Sequence, residues 1–176
     1  MARKPPRYDL PSAAPEPLAE VQRFINTVDV GRQSDWLGDF LAERGFFFET
    51  QEQLSQARAI REAFRGLLTA TNKSEASTSI GLLDAVATGA RLSVEFAAPR
   101  LVSRARGLEG YLGGLVAASF MAMHDGSWER LKCCRNDDCR WAFYDYSKNR
   151  SATWCSMKIC GNRTKTRAYR RREQAA

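Results

Sequence analysis

Apolar residues recur along most of this chain at the three-to-four-residue spacing of helices buried on one side. From Pro17 onward, Leu18, Val21, Ile25 and Val28 share a face with Phe24 beside them, which predicts a first helix. Ser34 has the chemistry of an N-cap for a short second helix carrying Trp36, Leu37, Phe40 and Leu41, with Gly45 as its stop. Thr50 and Gln53 have capping-box spacing ahead of a longer helix through Leu54, Ala57, Ile60, Phe64, Leu67 and Leu68, ending near Ala70. The polar run Thr71 to Ser79 reads as a loop before a short helix through Leu82, Leu83 and Val86 that stops near Gly89. Leu108, Leu112, Leu115, Val116, Phe120 and Met123 predict one more helix, closed by His124-Asp125-Gly126. Its Gly110, Gly113 and Gly114 cost helix propensity, so close packing against a neighbour is expected there.

The period changes to two from Arg91 to Phe96, and Ala97-Ala98-Pro99 can turn that strand into a partner at Arg100 to Ser103. Five of the first 17 residues are proline, which predicts an extended or disordered lead-in. The pattern therefore predicts a mostly α (α+β) fold in three parts. These are a disordered lead-in over 1–16, a helical domain with one small β-hairpin over 17–126, and a C-terminal segment over 127–176 with a different composition.

Charge separates that last segment from the rest. Trp128 to Ala176 holds 13 Lys and Arg against 5 Asp and Glu, a net +8, whereas the preceding residues hold 14 against 15. A basic excess confined to one short segment implies a polyanionic partner, with nucleic acid as the leading candidate. No stretch is long and apolar enough to span a membrane, and the first residues lack the apolar core of a signal peptide, so the cytoplasm is the expected location. In a reducing compartment closely spaced cysteines are expected to bind metal rather than form disulfides.

Four cysteines form two C-x4-C pairs, Cys134 with Cys139 and Cys155 with Cys160, the arrangement that supplies a tetrahedral zinc from two tight turns. Cys133 competes with Cys134 for the first position; equal spacing of the pairs favours Cys134 and leaves Cys133 as a packed or spare thiol. The only histidine, His124, lies outside the segment at a helix end, so a closed structural Zn2+ is expected and an enzyme is not. Between the pairs, Trp141, Phe143, Tyr144 and Tyr146 precede a Ser147 to Arg150 turn and Trp154 follows it, which predicts a β-hairpin over Arg140 to Trp154. Cys160 would then open a basic helix. On it Arg163, Arg167, Arg170 and Arg171 recur on one face, flanked by Lys165 and Arg172 with Tyr169 interleaved, the pattern of a phosphate-tracking or groove-binding helix. Knuckle, hairpin and helix together describe a treble-clef-like finger.

Trp128, Arg130-Leu131-Lys132, Cys134-x4-Cys139, Trp141-x-Phe143-Tyr144-Asp145, Ser147-Lys148-Asn149, Trp154-Cys155-Ser156-Met157 and Cys160-Gly161-Asn162-Arg163 together resemble the CGNR zinc-finger family. The part before them, including Val21 to Thr27, resembles the ABATE domain that precedes this finger in bacterial proteins described as stress-induced transcription regulators. The resemblance implies a helical N-terminal domain, a finger that binds zinc and DNA, and zinc ligands at Cys134, Cys139, Cys155 and Cys160.

The resulting expectation is a zinc-dependent DNA-binding transcription regulator. Its N-terminal domain would sense a signal or mediate association, and its DNA contacts would be Arg163, Lys165, Arg167, Arg170, Arg171 and Arg172. A protein-interaction or RNA-associated adaptor is the alternative. A homodimer fits the symmetry common among DNA readers. Asn26 and Thr27, polar residues after an apolar helical run, could face a pocket or could bond to the helix end.

Overall fold

The computed structural model describes residues 12–48, 50–162 and Thr164, Thr166 and Glu173. Five helices supply most of the architecture: α1 (Leu18–Ile25), α2 (Leu37–Ala42), α3 (Gln51–Thr69), α4 (Lys73–Gly89) and α5 (Gly107–His124). Three antiparallel two-stranded ribbons are set among them: β1 (Val28–Asp29) with β2 (Ser34–Asp35), β3 (Ser93–Glu95) with β4 (Arg100–Val102), and β5 (Leu131–Cys133) with β6 (Ala142–Tyr144). Among the described residues no helix is long and apolar enough to cross a membrane.

The apolar face predicted for the first helix becomes the centre of the molecule. Phe24 is fully buried, and its ring lies 6.3 Å from Phe40 of α2, 6.2 Å from Phe64 of α3 and 6.4 Å from Tyr111 of α5. One aromatic side chain thus touches three other helices at edge-on or tilted angles, the preferred geometry for such pairs. Gly45, at φ 81°, terminates α2 as the sequence predicts, with Gly45 N donating to Ala42 O and Phe46 N to Leu41 O, a Schellman pair.

Four readings of the sequence are corrected. The run Thr71 to Ser79 is mostly helix, because Asn72 Oδ1 accepts the Glu75 N–H at 3.0 Å and Glu75 reaches back to the Thr71 N–H at 2.8 Å. That box starts α4 about two turns early, and its Ser and Thr residues lie mainly on the exposed side. The first helix stops at Ile25, so Val28 belongs to a strand, and Ser34 pairs in β2 rather than capping α2. The helical part therefore carries two ribbons, not one. Finally, Ser12 to Glu16, expected to be unstructured, are held in place: Tyr144 N donates to Ser12 O at 2.9 Å, and Ala14 is buried with its N–H on Gln22 Oε1 at 2.7 Å.

The glycines of α5 do serve close packing. A Cβ on Gly113 would lie 2.2 Å from Ala90 Cβ, and one on Gly110 would lie 2.4 Å from Ala105 O, whereas Gly114 faces open space.

Charged groups gather around Glu20 at the edge of the core. Glu20 of α1 accepts from Arg44 Nε at 2.5 Å, Arg23 Nη1 at 2.9 Å and Tyr111 Oη at 2.8 Å, and Arg44 stacks 3.5 Å over the Phe40 ring. Burial alone would raise the Glu20 pKa, but these donors, Arg44 first, lower it to about 2. A depressed carboxylate contributes stability that is complete above its unfolded pKa and is lost as pH falls through the folded value. Glu20→Gln should therefore cost about 2 kcal/mol at neutral pH, with the deficit shrinking from about pH 4.5 down to about pH 2. Urea melts of both proteins across that range check it, and a deficit that stays constant with pH would refute the ionic account.

Candidate metal centre and its mounting

The four cysteines come together at the end of β5 and in the turns that follow. Cys134 immediately follows β5, and its N–H donates to Trp141 O at 2.9 Å. The chain then reverses through Arg135 to Asp138, where Asn136 O accepts from both Cys139 N at 2.7 Å and Arg140 N at 3.0 Å. The β5–β6 ribbon is thus built across the first cysteine pair, with Cys133 opposite Ala142 and Leu131 opposite Tyr144. This corrects the hairpin predicted over Arg140 to Trp154. The alternating aromatics do mark a strand, but its partner lies before the knuckle. Cys155 precedes and Cys160 lies within a single π-type turn, Met157–Gly161, whose Cys160 N donates to Ser156 O at 2.8 Å.

All four sulfurs are buried and lie within 4.8 Å of one another, while Cys133 stands outside the group. Cys139 Sγ is 3.6 Å from Cys155 Sγ, and Cys155 Sγ is 3.7 Å from Cys160 Sγ. Those separations are far beyond the ~2.05 Å of a disulfide, and all five cysteines are free. A tetrahedron with zinc–sulfur bonds of ~2.3 Å has edges of about 3.8 Å, so the cage has the right size for a four-coordinate structural Zn2+. The remaining cysteine is engaged elsewhere: Cys133 Sγ donates to Arg140 O at 3.2 Å, and burial pushes its thiol up to about 11.

The cage's electrostatics call for a cation. The thiols of Cys139 and Cys155 and the backbone N–H groups of Cys155 and Asn136 donate to Cys134 Sγ, and together they lower its pKa to about 4. Cys155 is driven the other way, because its proton is held by Cys134 and Cys139 and burial disfavours a second charge. Without a metal, then, one thiolate is stabilised at the expense of its neighbours; a divalent cation removes that conflict and lets all four ionise.

A second polar centre shapes the loop between the cysteine pairs, and the sequence reading missed it. Asp145, only 1% exposed, accepts from Lys132 Nζ at 2.7 Å, Ala152 N at 2.9 Å and Ser147 N at 2.9 Å. Burial opposes ionisation, but these donors, led by Lys132, hold the carboxyl well below its usual range. Lys132 Nζ also donates to Arg150 O, so one ion pair folds residues 145–152 back toward Cys155. An acidic residue within a Tyr-Asp-Tyr run is the only hint the sequence offers.

The finger is seated on the helical part through β6. Phe143 pairs with Lys132, so Ala142 and Tyr144 turn their N–H groups to the opposite edge. There Asn26 supplies a side-chain amide in the place of a strand, with Asn26 Oδ1 accepting from Ala142 N at 2.7 Å and Nδ2 donating to Ala142 O at 2.8 Å. Gln22 Nε2 adds a 3.2 Å bond to the same carbonyl, and Trp36 packs on Trp141 with centroids 6.5 Å apart. Gly31 lies so close to the knuckle that a Cβ would sit 2.5 Å from Asp138 O. Thr27, fully buried, donates to Phe24 O at 2.8 Å and accepts from Arg61 at 3.2 Å. Asn26 holds the finger and Thr27 finishes α1, each through its side-chain hydrogen bonds. The six residues expected on the nucleic-acid face, Arg163, Lys165, Arg167, Arg170, Arg171 and Arg172, lie outside the described residues, but Asn162, Thr164, Thr166 and Glu173 are helical.

Comparison with known families gives two matches. Residues 19–124 match ABATE, whose description reads "Putative stress-induced transcription regulator", and residues 130–173 match the CGNR zinc finger. No curated protein matches the chain.

Because Ala142 is fully buried, Asn26→Ala leaves its N–H without a partner and should cost about 2 kcal/mol. The urea midpoint, followed by tryptophan fluorescence, should fall with an unchanged slope. A midpoint equal to that of the parent would show that the amide pair does not hold the finger.

Proposed function

The chain belongs to the ABATE family, the match covering residues 19–124, and we propose that it is a transcription regulator whose CGNR finger binds DNA in a zinc-dependent way. The observation that carries this reading is the closed cage of four buried thiols at the point where the basic segment begins. Cys134, Cys139, Cys155 and Cys160 would be the four ligands, with no position left open for water or substrate. The metal would supply folding energy and orientation rather than chemistry. Neither matched family is an enzyme family.

The zinc-bound cage would carry a net −2, which lowers the finger's positive charge without reversing it. Arg163, Lys165, Arg167, Arg170, Arg171 and Arg172 would meet phosphates or base edges, starting directly after Cys160. Arginine suits both tasks, since its planar fork can take two acceptors at once. The helical part would report a signal to the finger through the Asn26 mounting.

If the finger neutralises four to six phosphates, duplex affinity should fall roughly 100- to 1,000-fold between about 50 and about 200 mM salt. Replacing Arg163 and Arg167 together with alanine should lower the salt slope by roughly two units. Elemental analysis should find about one zinc per chain, and Cys139→Ala should lose both metal and DNA binding. Salt-independent binding, or full binding by the metal-free chain, would refute the proposal.

A further inference from the structure

α3 and α4 run antiparallel from the short link that joins them. Near the link they touch, since a Cβ on Gly66 would lie 2.3 Å from Ser79 Oγ. Toward the far end they part, and the first turns of α5 do not fill the gap. The result is a cleft of about 290 Å3, at the lower end of the size range of small-molecule sites. Ile60 and Leu112, both buried, form its floor, and Val86 and Leu108 its walls.

The rim has a definite electrostatic sense. It carries the amides of Gln53 and Gln56 and the carboxylate of Glu109, and among the described residues no lysine, arginine or histidine lines the cleft. Glu109 has no ion-pair or hydrogen-bond partner among the described residues. It sits in the first turn of α5. Its Oε1 rests where Gly89 lacks a side chain, 2.9 Å from the position a Cβ would take.

We propose that this cleft binds a small organic cation, an ammonium group on an apolar body of alkyl or aryl type. The body would cover Ile60, Leu112, Val86 and Leu108, and the ammonium would meet Glu109 and the glutamine carbonyls. An anionic ligand is disfavoured, because it would bring a second negative charge to a rim with no cation. Among the described residues the lining offers one carboxylate and no cysteine, histidine, serine, threonine or lysine, so the role is binding. Ile60 is followed directly by Arg61, which grips Asp35 of β2 through bonds of 2.9 and 3.0 Å. One turn further, Arg65 Nη2 donates to Ile25 O at 2.5 Å. An occupant pressing on α3 therefore acts on the elements that carry the finger.

The test uses the full, zinc-loaded chain with hexylamine and benzylamine as probes and hexanol and hexanoate as controls, followed by calorimetry and NMR titration. The amines should bind saturably at one site, and hexanoate should not. Glu109→Gln, at an exposed position, should weaken amine binding by roughly threefold to tenfold while leaving hexanol unchanged. Ala85→Trp, on the exposed rim, should block all binding. Hexanoate binding as tightly as hexylamine, full amine affinity in Ala85→Trp, or no saturable amine binding by the parent chain would each overturn the proposal. These readouts measure the cleft directly, so they stand or fall apart from DNA binding.

Discussion

Strand β6 has a partner on only one edge, and the way its other edge is satisfied governs the rest of the architecture. Buried backbone groups without partners are costly, so the outward N–H and C=O of Ala142 need a donor and an acceptor in one plane. Asn26 provides both from a single side chain, with bonds of 2.8 and 2.7 Å, and the main-chain carbonyl of Ser12 accepts the Tyr144 N–H. A carboxamide offers a donor and an acceptor side by side in one fixed plane. The finger's orientation therefore depends on the C-terminal end of α1. That end is itself held by Thr27 on Phe24 O and by the Arg65 cation on Ile25 O, a favourable charge for a helix C-terminus.

Within the finger two polar centres divide the work. The thiol cage joins the knuckle to the turn before the last helix, and the Asp145–Lys132 pair fixes the loop between them. They differ in what they need. Asp145 finds its counter-charge and its backbone donors in the chain itself, whereas the four sulfurs cannot all ionise without an external cation. Removing metal should thus release the cage before it releases the Asp145 loop or the β6 mounting, since those are held by bonds that do not involve the sulfurs. This is a graded loss rather than the complete unfolding expected of a finger too small to have a core. The packing of Trp141 on Trp36 explains the difference, because it lends the finger part of the helical domain's core.

Long amphipathic segments were legible in the sequence because periodicity reports burial directly: Phe24, Phe40 and Phe64 all reach the centre. The cage was legible too, since ligand spacing is set by metal geometry and not by the rest of the fold. What was hidden depends on distant partners. Asn26 reads as a polar residue at a helix end, and nothing near it announces Ala142, 116 positions on. Asp145 vanishes into a count of charges, although its burial inverts its meaning. β1 and β2, two residues each, are too short to show a period. The α4 start was different: Asn72 and Glu75 have capping-box spacing, and the density of Ser and Thr masked a signal that was present.

α3 is the element through which the two halves can influence each other. Its first half borders the cleft, and its second half holds β2 and the end of α1 through Arg61 and Arg65. Both guanidinium groups are nearly fully buried, and Arg65 leaves its Nε without a partner. A buried cation with an unmet donor is held by a few short bonds that lose strength steeply when displaced, so its position is better described by discrete arrangements than by smooth drift. A shift of α3 large enough to exchange the carbonyl that Arg65 holds would act at the end of α1, one residue before Asn26. Since Asn26 holds β6, and β6 adjoins the knuckle, such an exchange would reach the thiol cage that precedes the basic segment. Coupling by this route requires that the Arg65 bond to Ile25 be exchanged rather than merely stretched.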